Sequence, residues 1–550
     1  MIYTEDFFAP GNTYPNDNVV ELVDSYTGEH VIYKKTTVGV PTTGDGDGAI
    51  YRKKGTDFYK REWTGYVNIL WWGIGNTLSD YTETTTRIQK AVALGYDTFF
   101  DEISIVINDS LPIQSNQKLF SKGCSIKQSG FVKEIFNCEN KSNISIIGFS
   151  LEGLGTDYQP SSSSKAVGIL CYGAQNLIIE NNIFKDFTYS GVSGLRDVNH
   201  LSFNFNRVEN SFDVVWAEVS PEYPFGKKDN TGITVGGKNI SILKNSFKNT
   251  SQGIIIAENS EFISISDNDI ENTILEHGMY LDAGLSNLTV LGNRIKNTKK
   301  IGIKLQNNDA NLNYICNNVV ISNNVISDTD EGGDGILVNN TSLQVDPITL
   351  EIIYMPTIFA KNVVISGNIV KNAGQHGINV RFIDGGVVAN NMVNDSMYSG
   401  IYIAFNKGVD ICHNNIHTTQ ESGIMIESNN DFLNVNSNTI DNPGVKNAGG
   451  EDFLTGITIR QTENYEIAVK HNKIRGNTIE VMRWGIFIEG NSVPNPNHPE
   501  NDANQETFEI ENNIILKAKY TDLRFLNGFT KLRRLRDNYK TIQNSPGEQP

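Results

Sequence analysis

Seven residues, Glu276 to Asp282 (EHGMYLD), hold two carboxylates, an imidazole and a phenol. Further along, Lys304 and Gln306 (GIKLQ), Asp334 (DGILV), His376, Asn379 and Arg381 (HGINVR) and Tyr402 (SGIYI) stand in strings that echo one another. Paired carboxylates can divide acid and base work on a glycosidic bond: at about 5 Å apart one attacks the sugar carbon, and at about 6.5–9.5 Å a water fits between them. Asp282, Glu276, Asp334 and Glu331 are candidates for that role. A different reaction, elimination beside a substrate carboxylate, needs a cation to neutralise the carboxylate and a base to take the neighbouring proton. There Lys304 or Arg381 would neutralise, and Tyr280, His277 or His376 would handle the proton. Tyr280 and Tyr402 could also stack on a sugar ring without catalysis, with Gln306 and Asn379 beside them. The plainer account is that each is a solvated surface residue, and that a histidine before a glycine corner bonds a turn carbonyl.

These groups share one repeated element. The phrase small or polar–Gly–apolar–x–apolar recurs at Gly168, Gly232, Gly253, Gly278, Gly302, Gly335, Gly377, Gly400, Gly423, Gly456 and Gly485, with a weaker copy at Gly191. Several gaps are 21 to 25 residues, and the longer ones are 29, 33, 41 and 42. Between glycines lies a short apolar strand ending in Asn–x–apolar, at Asn245, Asn268, Asn293, Asn368, Asn391, Asn438 and Asn472. Two or three short β-branched strands per unit, joined by Asn, Gly and Ser turns, predict a solenoid of stacked coils. Stacking at roughly 4.8 Å would let an Asn at one bend bond its counterparts above and below. The same Asn is expected to take the left-handed conformation, and glycine to supply backbone freedom at the other corner. The expected fold is all-β, a right-handed parallel β-helix of about a dozen coils. A leucine-rich repeat lacks its L-x-x-L-x-L signature here, and a propeller would need blades of about 40 residues.

Alternation along the glycine strand assigns two outward columns. The first reads Thr234, Ile255, Tyr280, Lys304, Leu337, Asn379 and Tyr402, and the second Gly236, Ala257, Asp282, Gln306, Asn339, Arg381 and Ala404. Four longer insertions, near 213–231, 339–361, 441–455 and 490–506, are expected to wall a groove beside them.

Bulk properties narrow the partners. The 550 residues carry a net charge of −17 with no Lys/Arg run to offset it, which excludes nucleic acid and anionic membranes as expected partners. An acidic glycan stays open wherever basic residues gather. Cys124, Cys138, Cys171, Cys316 and Cys412 form no C-x-x-C pair and are expected as buried thiols. No run of 18 apolar residues predicts membrane insertion. The chain opens Met-Ile-Tyr-Thr-Glu-Asp without an apolar leader, so either usual export is not used or a leader has been removed. No cofactor is expected; calcium held by dispersed carboxylates is left open. Gly44 to Gly48 (GDGDG) reads as a flexible turn rather than a metal site.

Residues 1–66 contain two hairpin patterns around VELVDSYTGEHVIYKK and GAIYRKKGTDFYKREWTG and are read as a small β module. Residues 67–130 form an entry cap, whose Thr82–Leu94 stretch predicts an amphipathic helix with Ile88, Ala91, Val92 and Leu94 covering the first coil. Residues 131–518 make the β-helix with its groove, and 519–550 a closing cap or tail. The order strand, polar loop, helix containing Ile-Gln, strand, then LPIQSN resembles the pectate-lyase-like β-helices of phage tailspikes and related polysaccharide depolymerases. That resemblance spans about residues 67–515; GIGNTLSD (Gly73 to Asp80) stands where those proteins usually carry a Gly-Asp-Gly loop. It implies a tailspike-like protein that binds and depolymerises a cell-surface or capsular polysaccharide, as hydrolase ahead of lyase. It further implies a homotrimer at a virion surface or outside the cell, attached through the first module. The alternatives are a non-catalytic receptor-binding spike and a secreted bacterial polyuronate lyase or epimerase.

Overall fold

Three short strands make each coil. Within residues 220–550 the glycine strand comes first, as in Gln252–Ile256, followed by Glu261–Ser266 and Asp269–Thr273. The next coil repeats the order with Met279–Leu281, Ser286–Leu291 and Arg294–Thr298. Each strand pairs in parallel with its counterpart one coil on: Ile254 with Met279, Ile263 with Leu288, Ile270 with Ile295. The fold is a parallel β-helix. Alternation sends every second side chain inward, so Ile254, Met279, Ile303, Ile336, Ile378 and Ile401 stack as a fully buried file.

The computed structural model describes residues 2–39, 46–75, 80–129, 134–155, 166–210, 231–306, 314–340, 343–345, 352–354, 360–427, 430–444, 455–460, 472–480, 484–489, 508–516, 521–526 and 532–536. They fall into two compact units, 1–219 and 220–550. Most of the four insertions expected to wall a groove, and most of the closing segment after 518, lie outside the described residues.

The first unit contains coils of the same build, such as Val167–Leu170, Gln175–Glu180 and Ile183–Lys185. It opens with a five-stranded sheet that includes two antiparallel hairpins, Val19–Val23 with His30–Thr36 and Tyr51–Lys54 with Asp57–Arg61. Helix α1, Tyr81–Ala93, starts where the Asp80 carboxylate accepts the Thr82 and Glu83 N–H groups. Its own Ile88, Ala91 and Val92 are fully buried, while Leu94 at its C-terminal end is half-buried. Of the GDGDG turn, Gly44 and Asp45 lie outside the described residues. Asp47 is buried and both its oxygens accept backbone N–H groups, from Ala49, Ile50 and Tyr51. This carboxylate is spent on the turn.

Ten asparagines form an unbroken ladder inside the second unit: Asn245, Asn268, Asn293, Asn324, Asn368, Asn391, Asn414, Asn438, Asn477 and Asn513. Each donates Nδ2–H to the Oδ1 of the next at 2.8–3.0 Å. The same amides also donate to strand carbonyls, as Asn268 does to Ile242 at 2.9 Å, so buried polar atoms stay satisfied. Two expectations need correcting. The left-handed residue is the one before each ladder Asn, for example Asp267, Asn323 or Asn390, because the ladder residue already needs extended geometry to point inward. Asn472 belongs to a different corner, where it accepts the Leu433 N–H at 2.9 Å and donates to the Asn430 carbonyl at 3.1 Å.

The repeated glycines also differ from expectation. Gly253, Gly278, Gly302, Gly335 and Gly377 are not among the positive-φ residues. Space excludes a side chain instead: a Cβ on Gly335 would lie 2.3 Å from Val370 Cγ1 and 2.6 Å from the Gly377 carbonyl oxygen. Gly335→Ala is expected to cost about 1–3 kcal/mol by overpacking, read as a lower urea midpoint. Gly75→Ala, with nothing within 4 Å of its added carbon, should stay within about 0.5 kcal/mol of the parent.

Candidate active site on the glycine-strand face

The register places the outward columns side by side. Ile255 pairs with Tyr280, Tyr280 with Lys304, Lys304 with Leu337, Leu337 with Asn379, and Asn379 with Tyr402. In the second column Gln306 pairs with Asn339, Asn339 with Arg381, and Arg381 with Ala404. The buried, apolar-faced Leu337 divides the face into two polar clusters.

The first cluster surrounds Tyr280. Lys304 Nζ lies 4.9 Å above the Tyr280 ring, and the Tyr280 hydroxyl makes a long 3.5 Å contact to Asp282 Oδ1. Asp282 accepts the Ala283 N–H at 2.8 Å and is half-buried. Burial raises its carboxyl above the ordinary range and the charge of Glu258 adds to this, while the Ala283 N–H, the Tyr280 hydroxyl and Lys304 pull the other way. Glu258 comes from the coil before: the Asp282 N–H donates to Ile256 O at 3.0 Å, which sets Asp282 beside Ala257 with Glu258 next in the chain. A carboxyl raised by burial thus lies within the electrostatic reach of a second carboxylate, Glu258, and of Lys304.

His277 and Glu276 sit at the other end, both buried. His277 Nδ1 accepts the Ile301 N–H at 3.2 Å, so the ring proton lies on Nε2, toward Glu276 Oε2 at 3.4 Å. Lys304 Nζ, 3.2 Å from the same nitrogen, approaches it as a charge rather than as a donor. Glu276 also binds Lys300 at 2.9 Å. Glu276 and Asp282 stand on opposite sides of the three-residue strand Met279–Leu281.

The second cluster is built on buried groups. Asp334, 2% exposed, accepts the His376 N–H and the Asn379 amide, both at 3.0 Å. Burial pushes its carboxyl up to about 7 despite those bonds and the nearby Arg381. His376 is held down to about 3, by burial first and by Arg381 second, and its Nδ1 accepts the Ser399 N–H at 3.3 Å. Both histidines thus accept an N–H of the following coil, where the sequence suggested a bond to a carbonyl. Asn379 Oδ1 accepts from Arg381 Nε at 3.0 Å, and the Arg381 guanidinium lies 4.6 Å over the Tyr402 ring. The Tyr402 hydroxyl donates to Glu427. Tyr402 is buried, with His376 4.6 Å from its ring, so it supports Arg381 and has no open face for stacking.

Asp334 is two coils from Asp282 and at the opposite end of its strand, beyond about 9.6 Å from coil spacing alone. Glu331 stands on an exposed turn ahead of that strand. Gln306 is half-buried beside Asn339. Column reasoning missed Glu258, which lies one residue past the last outward position. It also missed Glu427, which continues the second column after Ala404. Glu421, in the same coil as Glu427, is raised by burial, with Arg460 lowering it and Glu427 raising it. Among the described residues no group of three or more His, Cys, Asp or Glu side chains is placed to hold a metal ion. None of their helices is long and apolar enough to cross a membrane.

The model of the family described as right handed beta helix region matches residues 167–350 and 348–461. No curated protein matches the sequence. Among solved structures the chain is similar to the catalytic unit of a thermostable alpha-1,3-glucanase from Streptomyces thermodiastaticus, at 14% identity and TM-score 0.48 over 77% of this chain and 73% of that one. It is also similar to a Family 28 exopolygalacturonase from Yersinia enterocolitica (12%, TM-score 0.46, 81% and 83%). A third likeness is to Dettilon tailspike protein (13%, TM-score 0.39, 66% and 66%). At these identities the likeness is one of fold.

Proposed function

The chain belongs to the right-handed β-helix family, and from the groups gathered on its glycine-strand face we propose that it binds a polysaccharide outside the cell or on a virion and hydrolyses it. Asp282 is the proton donor and Glu258 the second carboxylate. The observation that carries this reading is the setting of Asp282: it is half-buried one coil on from Ala257–Glu258, and burial, with the Glu258 charge adding to it, raises its carboxyl. A carboxyl raised by its surroundings can give a proton to a leaving oxygen while a neighbouring carboxylate serves as base or nucleophile. Tyr280 and Lys304 border the pair and are the contacts for the sugar next to the scissile bond. Glu276, His277, Asp334 and His376 act behind the strand as positioning residues.

Incubation with a panel of neutral and acidic glycans tests the reading, with reducing ends and unsaturated products followed together. New reducing ends without unsaturation are expected. Unsaturated products would instead make Lys304 and Tyr280 the centre of an elimination. Binding without either product would leave an adhesin.

A further inference from the structure

We propose that Arg381 is a receptor for a carboxylate on the polysaccharide, so that the substrate class is an acidic glycan. This rests on the reading of the strand face as a polysaccharide site, and it assigns that site's selectivity to the second cluster.

Arg381 is aimed by a relay of buried groups. The His376 N–H fixes one oxygen of Asp334, the other oxygen fixes the Asn379 amide, and Asn379 Oδ1 takes the Arg381 Nε proton, each step at 3.0 Å. Both Asp334 oxygens accept, which forces Asn379 to turn its own oxygen toward the arginine. Tyr402 supports the guanidinium plane at 4.6 Å, and its hydroxyl is tied to Glu427. One edge of the planar group and its face are thereby locked.

The other edge is not used. Among the described residues no carboxylate forms an ion pair with Arg381, and its only side-chain hydrogen bond is the one from Nε. The chain has 63 acidic residues against 46 basic ones, yet it leaves this half-buried cation open. Its neighbour in the next coil is Ala404, too short to compete for the fork. A planar pair of N–H groups in fixed orientation matches the two oxygens of a carboxylate. A partly desolvated guanidinium whose outer nitrogens have no ion-pair partner among the described residues is costly to keep, and a bound carboxylate would offset that cost.

The test uses the full chain against polygalacturonate, alginate and hyaluronan, the same polymers after carboxyl reduction, and dextran. The inference expects binding to at least one acidic polymer, lost on reduction and weakened at least about tenfold by Arg381→Gln. Arg381→Lys, which keeps the charge and packs similarly, should recover only part of it. Unchanged melting temperatures would separate this from misfolding. Binding to dextran alone, or to acidic polymers equally well after reduction or in Arg381→Gln, overturns the carboxylate assignment and leaves the polysaccharide reading standing. No binding to any polymer overturns both.

Discussion

Asp282→Asn is expected to lower turnover by about 10²–10⁴ while leaving polysaccharide affinity within a fewfold of the parent. The amide keeps the shape and can still accept the Ala283 N–H that Asp282 accepts at 2.8 Å, so the coil should not move. It has no proton to give to a departing oxygen. The pH dependence follows from the same environment. A general acid works only while protonated, and Asp282 is raised by burial with Glu258 adding to the effect. Turnover should therefore fall as pH rises through that elevated value. Lys304 pulls the carboxyl down, so Lys304→Met should move this alkaline limb to higher pH. Steady-state rates across pH with both variants check the assignment. An Asp282→Asn protein that keeps full turnover would remove Asp282 from the chemistry.

The second large effect concerns stability of the first unit. Arg61 is 2% exposed and Asp24 4% exposed, and they form a buried ion pair. Arg61 also lies 3.9 Å over the Trp71 ring, whose indole N–H donates to Glu29 at 3.3 Å. These contacts tie the five-stranded module to the first turn of the cap. Arg61→Met leaves the Asp24 carboxylate buried and uncompensated, at an expected cost of about 3–5 kcal/mol. Asp24 also accepts the Tyr26 and Thr27 N–H groups, at 2.9 and 3.0 Å. Asn at position 24 would keep that turn without the charge, so Arg61→Met with Asp24→Asn should regain much of the loss. Urea unfolding followed by tryptophan fluorescence reads both. Equal midpoints for the single and double variants would mean that the aromatic contact, not the ion pair, holds the module.

Periodicity alone made the fold legible. The glycine phrase and the Asn–x–apolar phrase recur because every coil must fit the one beneath it, and that local demand is written into each repeat. Yet the sequence misassigned the reasons. The glycines at 335 and 377 are small because a carbonyl from the next coil lies where a side chain would go, contacts between residues 42 and 23 apart in the chain.

The site was legible only in part, for the same reason. Alternation told which side chains leave the core, and it selected Tyr280, Asp282, Lys304 and Arg381. It could not tell which outward residues are then covered. Tyr402 and Asn379 leave the sheet as alternation requires and are still buried, 7% and 2% exposed. Nor could it say that Asp334 points into a relay rather than to solvent. Hydrophobic pattern by itself determined the coil, its strands and the direction of each side chain, since these depend on near neighbours in sequence. Only the tertiary structure decided that Glu258 meets Asp282, that two clusters replace one, and that Arg381 keeps an open edge. Those outcomes depend on stacking register, which joins residues separated by insertions of unequal length.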